Sequence, residues 1–261
     1  MNKLNIANLH DQNLNMLDIL KQKIERLTYI FAGKDKEFAE IKFWRKQIDK
    51  YISWYNGELP QLYGHPTPVN KIIAPTEKLS SLLTFFEVHQ KVKYVKDLQV
   101  SEDVFTGMKV LDIGSGPFPS GLGFKDCEVY SLDPLFDSYL TAGYPIHCYE
   151  NRCKFVHSKA EIMPFSNGFF DAVISVNAID HVNDFGLTAK EIKRVLKEGG
   201  KFRMHVHYHP KTAAEPLELN DEVFLHHFSW VNNLQKITES TKKTGTSLED
   251  NSGESYVVWG N

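Results

Sequence analysis

The sequence predicts an α/β fold, a mostly parallel sheet behind an N-terminal helical extension, and three observations carry that expectation. Short apolar runs of strand type, beginning with Val110-Leu-Asp-Ile113 and Val129-Tyr-Ser-Leu132, alternate with stretches of helical periodicity, the signature of βαβ units. The first run leads into a tight turn, Gly114-Ser-Gly116, and the second ends at Asp133, 17 residues after Gly116. A glycine turn beside a carboxylate on the neighbouring strand is how a parallel sheet holds a nucleoside. The turn brings backbone N–H groups to one end, and the acid takes the ribose hydroxyls.

The elements follow in chain order. Leu17, Leu20, Ile24, Leu27 and Phe31 recur at steps of three and four, an a/d seam of two heptads that Gly33 ends. Two heptads are too short to stand alone. This helix therefore needs its own domain or a partner subunit, and a homodimer through the N-terminal helices is one way to supply it. A second amphipathic stretch puts Ile41, Trp44, Ile48, Ile52 and Tyr55 on one face, as core packing requires. Between Trp54 and Pro68, glycines and prolines halt regular structure while aromatics with polar tips remain. Tyr55 and Tyr63 are candidate substrate-binding residues of a lid there; an interdomain linker is the equal alternative. These segments form an extension over residues 1–100, ahead of a domain over 101–261.

Within that domain, only ten residues separate Gly116 from Cys127, and Pro117 and Pro119 oppose a full helix. The first crossover should be abbreviated. Further on, Lys201–His209 reads as a strand, Asp221 to about Ser240 contains a helix, and Glu254–Gly260 reads as a final strand.

Glycine spacing separates two nucleoside cofactors. A dinucleotide site needs G-x-G-x-x-G, and Pro119 stands where the third glycine belongs. The form Asp112-Ile-Gly-Ser-Gly116 instead resembles the glycine motif of the class I S-adenosylmethionine (SAM) methyltransferases, of the type 11 group. Ala160-Glu-Ile-Met-Pro-Phe165 with the strand that follows, Asn177-Ala-Ile-Asp-His-Val182, and Ile192–Phe202 resemble later blocks of the same family in the same order. The resemblance covers residues 108–209. It implies a Rossmann-like sheet of order 3-2-1-4-5-7-6, its last strand antiparallel beside the fifth, and SAM as cofactor. It assigns cofactor binding to Asp112, Gly114, Ser115, Gly116, Asp133, Pro134, Ala160, Glu161 and Asn177. Among these, Asp133 would take the ribose, the two glycines the methionine portion, and Ala160 and Glu161 the adenine. Lys159 departs from the pattern, standing where many relatives carry an adenine-contacting aspartate.

Methyl transfer from a sulfonium needs alignment of the nucleophile, exclusion of water and, for a hydroxyl, removal of a proton. Asp180 and His181 follow the fourth strand. His205, His207 and His209 share one face of the fifth. His181 is the first candidate for general base and His207 the second, with Asp180 beside them; a hydrogen-bonded structural histidine at a loop corner explains His181 equally well. His209 is a candidate substrate contact. Alternating imidazoles with Glu215 nearby also suit a metal. With no H-E-x-x-H helix and no cysteine pair, the expectation is that no metal is held.

Composition narrows the classes. Apolar residues make up 42% and charged residues 24%, ordinary globular values, and no apolar run approaches a bilayer span. The start lacks a signal peptide's charged and apolar segments, and three scattered cysteines form no disulfide framework, so the expected location is cytoplasmic. Net charge is −3, split as +4 over the first hundred residues and −7 over the rest, without the basic stripe of a nucleic-acid binder.

Phe43-Trp-Arg-Lys-Gln-Ile48 through Leu62-Tyr-Gly-His65, with Leu132-Asp-Pro-Leu135 and Tyr144-Pro145, resembles methyltransferases encoded with bacterial capsule and surface-polysaccharide genes. That resemblance implies O-methylation of a saccharide, a nucleotide-activated sugar or a phosphorylated or phosphoramidate-type precursor. Methylation of nitrogen on a small molecule and a non-catalytic SAM-binding regulator are the alternatives. Asn177-Ala-Ile-Asp180 lacks the Asn-Pro-Pro-Tyr form expected of amide and base methylases.

Overall fold

The computed structural model describes residues 36–211, 217–241 and 254–261. The Leu17–Phe31 seam, its stop at Gly33 and Glu215 lie outside the described residues. The chain divides into two compact units, Met1–Glu40 and Ile41–Asn261, so residues 41–100 fall in the same unit as the sheet. A helix, α1, covers residues 36–56, and its part from 41 onward belongs to the larger unit. Ile48 and Tyr55 are buried on it, with Ile41, Trp44 and Ile52 packed against the same aromatic core, as the stripe predicts. After it come a short ribbon, β1 (Gln61–Leu62) and β2 (His65–Pro66), and helices α2 (Glu77–Phe85) and α3 (Lys91–Asp97). Thr76 caps α2, its hydroxyl oxygen accepting from the Leu79 N–H at 3.2 Å.

Seven strands build the sheet: β3 (Lys109–Ile113), β4 (Glu128–Leu132), β5 (Cys153–Val156), β6 (Phe170–Val176), β7 (Leu196–Tyr208), β8 (Gln235–Ser240) and β9 (Ser255–Gly260). Their order is β5-β4-β3-β6-β7-β9-β8; counted from the first sheet strand this is 3-2-1-4-5-7-6. The strands from β3 to β7 pair in parallel, while β9 is antiparallel to both β7 and β8. Both faces of β3 are buried, which is why it reads as an apolar run. Val110 faces Tyr94, Leu98 and Phe105, whereas Leu111 and Ile113 pack on the opposite side with α5 (Phe185–Val195) and α6 (Asp221–Phe228). The stretch from Asp221 to Ser240 contains the expected helix, α6, and then β8, because Gln235–Ser240 pairs with β9.

The crossover from β3 to β4 is short, as the two prolines dictate: a single 3-10 turn at Ser120–Gly123. The missing helix is replaced by α3, which arrives from the other side of β3 in sequence. A Cβ at Gly123 would stand 1.8 Å from the Lys91 carbonyl oxygen, so only glycine permits this approach. After β4 comes α4 (Phe136–Ala142), ended by Gly143 in the left-handed region. Among the described residues, no helix is long and apolar enough to cross a membrane.

Candidate active site

The site forms where the carboxyl ends of β3, β4, β6 and β7 meet, the edge at which parallel sheets place ligands. Leaving β3, the chain turns through Gly114 (φ 67°) and Gly116 (φ 65°). A Cβ on Gly114 would lie 2.3 Å from the Cβ of Ala178, so the glycine turn and the loop after β6 are in direct contact. Asp133, 4% exposed, is locked beside this turn. Its Oδ2 accepts from the Gly116 N–H at 3.0 Å and its Oδ1 from the Leu135 N–H at 2.9 Å, across Pro134. Both bonds fix the carboxylate at the tips of β3 and β4, and a carboxylate offers about four acceptor positions in all. Ser115 is buried within the turn.

Asn177 leaves β6 in the left-handed conformation (φ 51°), and its N–H donates to the His205 carbonyl at 2.8 Å. Its side-chain Oδ1 is buried with no hydrogen-bond partner among the described residues, where buried acceptors are ordinarily paired. Three residues on, Asp180 is wholly buried. Its Oδ2 lies 3.4 Å from His181 Nε2 and 3.6 Å from His209 Nε2. The His181 side chain is 27% exposed, so it can meet a solute while the carboxylate behind it stays dry. His207 and His209 continue the group, their ring centroids 4.6 Å apart, while His205 sits deeper at 1% exposed. Burial holds the His207 pKa below its ordinary value, against the charges of Asp180 and Glu254.

Other predicted residues are placed differently. Asp112 turns to the α3 side of the sheet, 0% exposed. Burial pushes its carboxyl up to about 8, against the pull of the Tyr94 hydroxyl and Lys93, so it is largely protonated at neutral pH. Glu161 spends one oxygen on the backbone, Oε1 accepting from the N–H groups of Asn183 at 2.6 Å and Asp184 at 3.1 Å. It braces the segment just after His181. Ala160 is part of the core. The hydroxyl of Tyr55 donates to the Ile72 carbonyl at 3.2 Å, and that of Tyr63 donates to Gln47 Oε1 at 2.8 Å. Tyr63 also stacks on His89 at 5.3 Å, a ring that burial drives down to about 3 and so keeps uncharged. The hydroxyls of both tyrosines are thus bonded within the chain.

Three residues join the site that sequence reasoning did not single out for it. Trp44 of α1 lies over the glycine turn, its ring 3.4 Å from the Cβ position of Gly116. Glu254 Oε2 is 3.1 Å from His207 Nε2. Tyr256 is the cross-strand partner of His207 and stacks on it at 4.4 Å. In the sequence Trp44 belongs to an apolar stripe and to the Phe43–Ile48 block, neither of which places it over the glycine turn. The other two were legible only through the β7–β9 register.

A parallel sheet with a glycine turn after one strand and a buried acid after its neighbour defines a nucleoside-binding α/β domain. Among known families, residues 111–204 match the one described as methyltransferase domain. Over 168 residues the chain is 30% identical to cycloartenol-C-24-methyltransferase 1 of Oryza sativa subsp. japonica, covering 59% of this chain and 48% of that protein. Over 131 residues it is 30% identical to demethylmenaquinone methyltransferase of Staphylococcus aureus, covering 48% and 52%. The chain thus spans about half the length of these curated relatives. The crystal structure of the YcgJ protein from Bacillus subtilis shares the fold, with a TM-score of 0.50 at 18% identity over 62% of this chain and 94% of that one.

Proposed function

We propose that the protein transfers the methyl group of SAM to a hydroxyl of a small polar acceptor, a saccharide or phosphorylated metabolite of surface-polysaccharide synthesis. The observation that carries this reading is the contact between Gly114 and Ala178. Asp180 and His181 follow Ala178 by two and three residues, which keeps the pair beside the glycine turn. The residues present suit SAM: a turn too tight for a Cβ, the fixed carboxylate of Asp133 and the unpartnered Oδ1 of Asn177. When bound, SAM supplies a methyl group on a sulfonium, already activated towards displacement. The chain does the rest. Asp133 and the Gly114–Gly116 turn hold the nucleoside and methionine ends. His181 accepts the acceptor's proton at Nδ1, and Asp180, on the Nε2 side, stabilises the imidazolium. His207 and His209 give the acceptor polar contacts. A buried carboxylate and imidazoles suit a polar acceptor better than the cycloartenol or demethylmenaquinone named for the two relatives. The sugar assignment draws further on the resemblance at Phe43–Ile48 and Leu132–Leu135.

Incubation with methyl-labelled SAM and bacterial cell extract, followed by mass spectrometry, tests the reading. A labelled, methoxylated polar metabolite is the expected product. Label found only on nitrogen, or in no product while SAM still binds, would sink it.

A further inference from the structure

We propose that Asp180, His207 and His209 bind one divalent first-row metal ion of the zinc class at the carboxyl edge of β6 and β7. The ion would hold the acceptor's oxygen, a role that rests on the methyl-transfer reading; ion binding itself does not. All three residues are buried, and one ligand atom from each lies within 4.8 Å of the others. The gap between Asp180 Oδ2 and His209 Nε2 is already 3.6 Å. An ion bound at about 2.1 Å would set its ligand atoms roughly 3.4 Å apart. Two imidazoles and one carboxylate are the donor set of open metal sites, in which at least one position is left for water or substrate.

The surroundings resemble a built site more than a chance cluster. A metal-bound histidine normally donates its second ring N–H to a carboxylate or a backbone carbonyl, which fixes tautomer and orientation. Both histidines have such a partner. His209 Nδ1 lies 2.7 Å from the Pro210 carbonyl oxygen, so that nitrogen carries the proton and Nε2 is the basic one. His207 Nε2 is 3.1 Å from Glu254, and the Tyr256 ring stacks on the imidazole at an interplanar angle of 5°. Glu254 lies outside the three-residue group, as a supporting carboxylate should. Asp180 accepts at up to about four positions, so it can serve the ion and still orient His181. The sequence expectation of no metal rested on the absence of a contiguous motif. Here the ligands come from the turn after β6, which holds Asp180, and from the end of β7, which holds His207 and leads into His209.

The test uses the full chain purified without a histidine tag, stripped with EDTA and dialysed against Zn²⁺ or Co²⁺. The proposal predicts about one ion per chain by elemental analysis, a visible Co²⁺ spectrum of nitrogen–oxygen ligation, and a raised Tm with Zn²⁺. Asp180→Asn and His209→Gln should each weaken binding at least tenfold. Calorimetry with SAM, run on the same samples, reports the cofactor pocket separately. Failure to bind SAM with the ion retained would damage the methyl-transfer reading alone. Less than about 0.2 ion per wild-type chain, or unchanged binding in both variants, overturns the metal site.

Discussion

At the scale of single residues, the site depends on contacts that allow little substitution. Gly114→Ala would drive a methyl group into Ala178 and place alanine at φ 67°. Loss of measurable SAM binding and a lowered Tm are expected, and a variant that binds like wild type would contradict the contact. Asp133→Ala should weaken SAM binding by about 1.5–3 kcal/mol, roughly 10- to 150-fold, measured by calorimetry. His181→Ala should leave SAM affinity within about twofold and lower turnover about 10²-fold or more; equal turnover would remove it from catalysis. Asp112 gives a stability prediction with a definite sign. Its folded-state pKa of about 8 lies above the usual 3.8, so folding holds the proton more tightly than the unfolded chain does. The stability it contributes is whole below about pH 4 and is lost as pH rises towards 8. Asp112→Asn should therefore lose less Tm than wild type between pH 5 and 8.5, and parallel curves would refute the assignment.

These residues also show what a linear sequence conveys. Gly114, Gly116 and Asp133 were legible because a turn's φ angles and a strand's end impose residue types at fixed spacing. The direction in which Asp112 points was not, because alternation along β3 gives two faces without saying which neighbour covers each. Glu161 was legible as part of a motif, while its bonds to Asn183 and Asp184 depend on how the loop after β6 folds back.

At the scale of elements, α1 is the cover of the glycine turn. Its apolar stripe was readable from periodicity, but the position of Trp44 over Gly116 was not. Periodicity defines the buried face and leaves its partner open. The Trp44 ring also meets Tyr139 and Tyr144 edge-on, and the Tyr144 hydroxyl donates to the Trp44 carbonyl at 2.8 Å. This end of α1 is thus tied to the segment that follows β4. SAM binding should change tryptophan fluorescence through this ring, and Trp44→Phe should remove most of the change. An undiminished response in the variant would mean that α1 does not cover the pocket. The abbreviated crossover was the better-read element: Pro117 and Pro119 forbid the helix directly, and the structure has one 3-10 turn there.

At the scale of the molecule, the sheet gathers at one edge groups that are far apart in sequence. Gly114 touches Ala178, Asn177 bonds to His205, Asp180 approaches His209, and β9 brings Glu254 and Tyr256 to His207. The parallel strands and their order were foreseeable from the β/α alternation and the family resemblance. The histidine cluster was foreseeable only as a row on β7, because its carboxylates arrive from another loop and from an antiparallel strand.

The central claim is that the tips of β3 and β4 form a pocket for SAM, and calorimetric titration of the full chain tests it most directly. The account predicts one SAM per chain with a micromolar Kd, weakened by Asp133→Ala as stated above. No detectable heat or saturation at about 1 mM SAM, or equal affinity in that variant, would contradict it.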